Sequence, residues 1–188
     1  MNLTKEFDDG LTRCGWLNDD SLYREYHDTE WGVVKTDQRQ LFEGICLEGF
    51  QAGLSWLTIL KRREGFRRAF IDFDIDSVAA MTDSMVESLM LDSSIIRNRA
   101  KINSAINNAR MILDKQIDLS TLMWSFAPKT PVAPAKDFEW RATSPESEAM
   151  SKELKRLGFS YVGSTTMYAL MQSTGMVQDH APGCFRRP

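Results

Sequence analysis

An all-α fold is what this sequence predicts, on three observations. Apolar residues recur three and four apart through most of the chain, and no stretch alternates with the period of a strand for a useful length. The helical runs open at Asp, Ser or Thr and several close at Gly, the residue types that satisfy the orphan groups at helix ends. The most apolar run, FEGICLEGFQAGLSWLTIL over residues 42–60, has the breadth of a central core helix followed by a second one. No internal repeat is visible.

Composition sets the frame for these elements. A chain of 188 residues with 43% hydrophobic and 26% charged residues can bury one full core. A net charge of -3 and a pI near 5.5 exclude a protein that coats nucleic acid through bulk charge, while leaving room for a local basic patch. No window approaches eighteen uninterrupted apolar residues, and MNLTKEFDDG has neither the basic flank nor the apolar segment of a signal peptide, so a cytosolic protein without a membrane partner is expected. Three cysteines cannot all pair within one chain, which favours metal binding or simple burial in that compartment.

Residues 1–12 read as a polar extension, with one domain over 13–188. In RCGWLNDDSLYREYHDTEWG, a short helix over 21–27 sets Tyr23, Tyr26 and His27 on one side; core packing explains the aromatics as well as a site does. Asp37 caps a helix from about Gln38, and Ile45, Glu48 and Ala52 then share a face. Glu48 therefore points with the apolar residues, where an ionised carboxylate is expensive unless it is paired, neutralised or reserved for a ligand. One of the 23 Lys and Arg residues is an equally ordinary partner for it. Gly49 and Gly53 weaken the helix, so a break is expected over 51–54, with Gln51 and Leu54 at its tip and Trp56 on the next helix. KRREGFRRAF reads as a solvated helix end.

Asp76 is expected to cap a helix through Met81, and Thr82 another through Met90. A third follows over about 96–113, making helix, tight hairpin, helix; Arg97, Arg99 and Lys101 at its start suit a phosphate. Residues 118–142 hold Pro128, Pro131 and Pro134 among Trp124, Phe126, Phe138 and Trp140, the pattern of a short helix and an irregular crossing segment. Two further helices are predicted over 144–157, stopped by Gly158, and 164–174, stopped by Gly175.

The chain has only two histidines, each with a cysteine nearby: Cys14 lies thirteen positions before His27, and His180 four before Cys184. Two thiolates and two imidazoles make a complete tetrahedral set for one structural zinc ion joining the two ends of the chain, with no position left for a catalytic water. The order matches no standard finger, so four unrelated residues remain the alternative. Cys46 reads as a small buried hydrophobe.

RCGW, YHDTEWG, LFEGICLEGFQAGLSW, IIRNRAKI, YVGSTTMYALMQSTG and DHAPGC together resemble the DNA-3-methyladenine glycosylase I family of bacteria, over residues 13–184. The resemblance implies a helix-hairpin-helix glycosylase fold, the hairpin over about 82–113, and a zinc site on Cys14, His27, His180 and Cys184. It implies a base pocket of Trp16, Tyr26, Glu48 and Trp56 walled by Tyr23 and Trp31, with Glu48 as the catalytic, base-recognising carboxylate. It also implies double-stranded alkylated DNA as the partner, 3-methyladenine as the excised base, a monomeric enzyme of the bacterial cytosol and an abasic product. Ser94, Arg97, Arg99 and Lys101 would meet the DNA backbone, and Gln51 and Leu54 would wedge the gap left by the extruded nucleotide. Helix-hairpin-helix glycosylases place glycines in the hairpin, where this chain has Ser93, Ser94 and Ala100. No Asp nucleophile and no Schiff-base Lys is matched, which implies a monofunctional enzyme. Two other readings compete: a metal-dependent hydrolase with Glu48 beside zinc, and a non-catalytic binder of alkylated bases.

Overall fold

The computed structural model describes residues 2–188 and is mostly helical, with ten α-helices and one two-stranded sheet among the described residues. The sheet corrects the all-α expectation. Strand β1 (Thr4–Glu6) pairs antiparallel with β2 (Thr12–Cys14), in the register Thr4 with Cys14, Lys5 with Arg13 and Glu6 with Thr12. Three-residue strands are too short to leave a period-two pattern. Gly10 takes a positive φ of 77° in the turn, and Phe7 beside it is buried beneath the Arg13 guanidinium, 5.2 Å from the ring centroid. The residues read as a polar extension are thus part of the folded unit.

Helix α1 (Ser21–Thr29) is capped by Asp20. Helix α2 (Gln38–Gln51) starts at Asp37, whose side chain accepts the Gln40 amide, and buries eight residues from Leu41 to Phe50, Glu48 among them. This is the element around which the core forms: α3 (Trp56–Leu60), α7 (Arg99–Asp114), α8 (Leu119–Trp124) and α10 (Ser164–Ser173) all pack on it. Each large apolar side chain buried this way stabilises by about 1.5–3 kcal/mol. Gly44 is where α10 comes nearest, because a Cβ there would lie 2.6 Å from Leu170 Cδ1. The break comes after Gln51, with Gly53 at φ +82°, while Gly49 stays inside the helix, covered by Tyr161.

The stretch read as a solvated helix end is helix α4 (Arg63–Ala69), with Phe66 fully buried against Phe50 at 4.5 Å between centroids. Two of its three cations are paired: Arg63 with Glu30, and Arg67 with Glu43 and Glu64. Helix α5 (Ile75–Ala79) is capped by Asp74, two residues ahead of the expected Asp76. Helix α6 (Asp83–Leu91) and α7 form the hairpin, and Ile96 and Arg97 stay in its loop because Asn98 caps α7 through the Lys101 amide. Helix α9 (Pro145–Arg156) begins with a reciprocal Ser144–Ser147 capping box and ends before Gly158, at φ +95°.

Candidate functional site

Seven segments line a cavity of about 330 Å³. Trp16 follows β2, Tyr23 and Tyr26 lie on α1, and Trp31 on the loop after it; Glu48 and Gln51 come from α2 and Trp56 from α3. These include all six residues expected to bind a base. Their rings form a continuous wall: Trp16 lies 5.1 Å from Tyr23 and 5.2 Å from Trp31, and Tyr26 lies 5.4 Å from Trp56. Four lining residues had no role in the sequence reading: Trp140 and Arg141 on the crossing segment before α9, and Ala169 and Gln172 on α10. The only advance signal was the aromatic content around Trp140.

Glu48 is 5% exposed, and no ion pair among the described residues includes it. Burial pushes its carboxyl up to about 8, opposed only by the charge of Lys35, and so favours the protonated form at neutral pH. Burial likewise raises the Tyr23 phenol to about 12 and holds Tyr26 well above its ordinary value, with Glu48 the next cause in both. The pocket therefore presents neutral phenols and a carboxyl poised to ionise. The indole N–H groups of Trp56 and Trp140 are buried without a partner. Gln172 is steadied by Asp179, which accepts from its amide at 2.9 Å and from the Tyr168 hydroxyl at 2.6 Å.

Behind this wall, Cys14, His27, His180 and Cys184 bring one donor atom each to within 4.8 Å of one another, all buried, in a group that could hold a metal ion. Cys184 Sγ lies 3.6 Å from His27 Nε2 and 3.7 Å from His180 Nδ1, and Cys14 Sγ lies 3.9 Å from His180 Nδ1. The outer ring nitrogens are occupied: His27 Nδ1 meets Asp28 Oδ1 at 2.8 Å, and His180 Nε2 meets the Trp31 carbonyl at 3.3 Å. Asp28 is in turn gripped by the buried Arg13. This outer layer fixes the tautomers that aim the remaining nitrogens at the centre. The mutual contact of the two thiols holds that of Cys184 well below its ordinary value and that of Cys14 well above it. Trp31 stands edge-on to His180 at 4.6 Å and Trp16 edge-on to His27 at 5.4 Å, so the cluster braces two walls of the pocket.

The residues expected to meet DNA separate into two groups. Gln51 lines the cavity and Leu54 stands 40% exposed at the tip of the neighbouring turn, while Arg97 is exposed in the hairpin loop. Ser94, half-buried, packs against Gly65 and donates its amide to Asp92. Arg99 is engaged with Glu87 across the hairpin, a surface pair. Lys101 turns inward: 8% exposed, its ammonium donates to the Phe50 and Ala52 carbonyls at 2.8 and 2.6 Å. Its role here is to cap the C-terminus of α2, where orphan carbonyls and a cation suit each other, which corrects the expectation of a phosphate contact.

A helical scaffold that closes electron-rich rings around one buried carboxyl defines a binder of a flat, polar-edged heteroaromatic ring. The sequence profile of the methyladenine glycosylase family matches residues 16–187. The DNA-3-methyladenine glycosylase 1 of Escherichia coli (strain K12) is 48% identical over 179 residues, 93% of this chain and 96% of the relative. A crystal structure of 3-methyladenine DNA glycosylase I superposes with a TM-score of 0.88 at 45% identity, covering 94% of this chain and all of that one. A tyrosine-to-phenylalanine variant of 3-methyladenine DNA glycosylase I, solved in complex with 3-methyladenine, has a TM-score of 0.84 at 31% identity, covering 91% and 95%. This chain belongs to the methyladenine glycosylase family.

Proposed function

We propose that the protein is a monofunctional DNA glycosylase that extrudes a 3-methyladenine nucleotide from alkylated double-stranded DNA and hydrolyses its glycosidic bond, leaving an abasic site. The observation that carries this reading is Glu48, buried and unpaired in a cavity of base size and walled by Trp16, Tyr26 and Trp56. Family membership and the names of the relatives support it.

A nucleotide alkylated at N3 carries a positive charge on its base, so the bond to the sugar is already weak and the base departs neutral. Strong acid catalysis is unnecessary; holding the extruded base is what counts, since extrusion costs a few kcal/mol. Well-placed rings contribute about 0.5–2 kcal/mol each toward a cation. The raised carboxyl of Glu48 adds selectivity. An arriving cation favours its ionised form, giving a charge-assisted contact, whereas a neutral adenine meets a protonated acid. Tyr23 and Trp31 complete the wall. Water then attacks the oxocarbenium-like sugar, which nearby anions stabilise.

On this reading residues 82–113 approach the DNA backbone through Ser94, Arg97 and Arg99, and Gln51 and Leu54 fill the gap in the stack. The hairpin β1–β2 joins the helices in one domain that acts as a monomer in the bacterial cytosol. The four-donor cluster suits a single structural zinc ion, because tetrahedral bonds of about 2.3 Å to sulfur and 2.0–2.1 Å to nitrogen separate the two donor types by about 3.6 Å. The Cys–His distances of 3.6 to 3.9 Å fit that geometry. With four protein donors, such an ion steadies the pocket and has no open position for substrate.

The test is mass-spectrometric detection of bases released from methylated duplex DNA with chelator present, comparing wild type with Glu48→Ala. Release of 3-methyladenine by wild type and its strong reduction in the variant is the expected result. Binding of free 3-methyladenine without any release would instead identify a non-catalytic binder of alkylated bases.

A further inference from the structure

Arg141 is the one basic side chain among the residues lining the cavity, and its presence there conflicts with the pocket's cationic occupant. Resting on the glycosylase reading above, we propose that Arg141 grips a phosphate flanking the extruded nucleotide, so that the pocket recognises its substrate as a base cation and a backbone anion together.

The conflict carries the argument. Aromatic faces and Glu48 favour a positive ring, while a guanidinium in the same cavity repels one. A cation placed there is useful only toward an anion that arrives with the base, and every nucleotide brings one covalently, on its own sugar. Arg141 is positioned for that partner. Its side chain is 46% exposed while lining the cavity, which sets the guanidinium at the mouth rather than at the floor where Glu48 is buried. Lys35, not Arg141, is the charge felt by Glu48. The single ion pair Arg141 makes is a 3.2 Å contact to Glu139, itself 71% exposed, and a phosphate with two oxygens in the fork plane displaces such a partner readily.

The backbone around Arg141 is anchored well enough to aim it. Trp140 packs edge-on to Phe138 at 5.0 Å, Arg187 stacks over Phe138 at 5.5 Å, and Arg187 also donates to the Ala133 and His180 carbonyls. The crossing segment is thereby tied to the tail that carries His180 and Cys184. Gln51 lines the same cavity and Lys101 holds the adjoining turn to the start of α7, so Arg141 and the proposed wedge residue Gln51 share one cavity.

The experiment compares wild type, Arg141→Ala and Arg141→Lys as full chains with three probes: free 3-methyladenine, a duplex carrying a tetrahydrofuran abasic analogue over a salt series, and methylated duplex DNA. Arg141→Ala is expected to weaken abasic-duplex binding about tenfold and to reduce the slope of log K against log salt by about one, leaving free-base affinity within about twofold of wild type. Arg141→Lys should keep the slope and lose part of the affinity. An unchanged slope in Arg141→Ala, or a loss of free-base binding equal to its loss of duplex binding, would overturn the proposal. Failure of wild type to release base from methylated DNA would refute the glycosylase reading, while the duplex-binding comparison would still decide the role of Arg141.

Discussion

Replacing Glu48 by Gln should stabilise the empty protein, and by an amount that grows with pH. In the unfolded chain the carboxyl titrates near its ordinary value of 4.5, whereas burial holds it at about 8 in the folded protein. A group whose folded pKa is raised favours folding fully below the unfolded value, and that advantage is lost as pH rises through the folded one. At about 1.4 kcal/mol per pH unit, the loss relative to the fully protonated limit is about 1 kcal/mol at pH 5, about 3 at pH 7 and close to 5 above pH 8. Gln has nearly the same shape and no charge to desolvate, so any fixed cost of its amide is independent of pH. For a chain of this length, about 2–4 °C follows from each kcal/mol, so the melting-temperature difference between Glu48→Gln and wild type should widen by about 8 °C or more from pH 5 to pH 9. Calorimetry across that range is the assay, and titrations elsewhere cancel in the difference. A gap that stays constant with pH would refute the buried, unpaired carboxyl on which the recognition argument rests.

Lys35→Met removes the one charge that lowers the Glu48 carboxyl, so in that background the widening gap should extend to higher pH; an unmoved profile would show that Lys35 does not reach Glu48. Cys184→Ser should lose bound metal, measured by elemental analysis, and lower the melting temperature before any change in base affinity is seen, whereas unchanged metal content would remove Cys184 from the cluster. Lys101→Met leaves the Phe50 and Ala52 carbonyls without their cation and should destabilise by about 1–3 kcal/mol by denaturant unfolding, with excision falling more than free-base binding; a salt-slope change without a stability loss would return Lys101 to the DNA interface.

What could be read in advance was what local chemistry decides. Asp37 announced the start of α2, Ser144 and Pro145 that of α9, and Gly158 and Gly175 the ends of α9 and α10, because caps act within a few residues. Glu48 stood out as the wrong polarity in an apolar run, and the candidate metal donors as the only histidines with nearby cysteines. What escaped was decided by distant partners. Lys101 looks like any basic residue at a helix start until carbonyls about fifty positions away accept its hydrogen bonds. Arg141 and Trp140 sit in a proline-rich crossing whose course is set by Arg187 and Phe138, not by any local period. Three-residue strands and the choice of Asp74 over Asp76 lie below the resolution of periodic patterns.

The donor cluster also imposes an order in time. Cys14 and His180 are separated by 166 positions, so a growing polypeptide displays two of its four donors well before the other two. Until His180 has emerged, the ring of Trp31 lacks the imidazole that stands against it, even if every intervening helix has already packed. The Trp31 side of the pocket is therefore completed only after His180 can reach the Trp31 carbonyl, 149 positions away. Completing the pocket thus depends on one of the longest-range contacts in the fold, whereas the caps that start its helices act within a few residues.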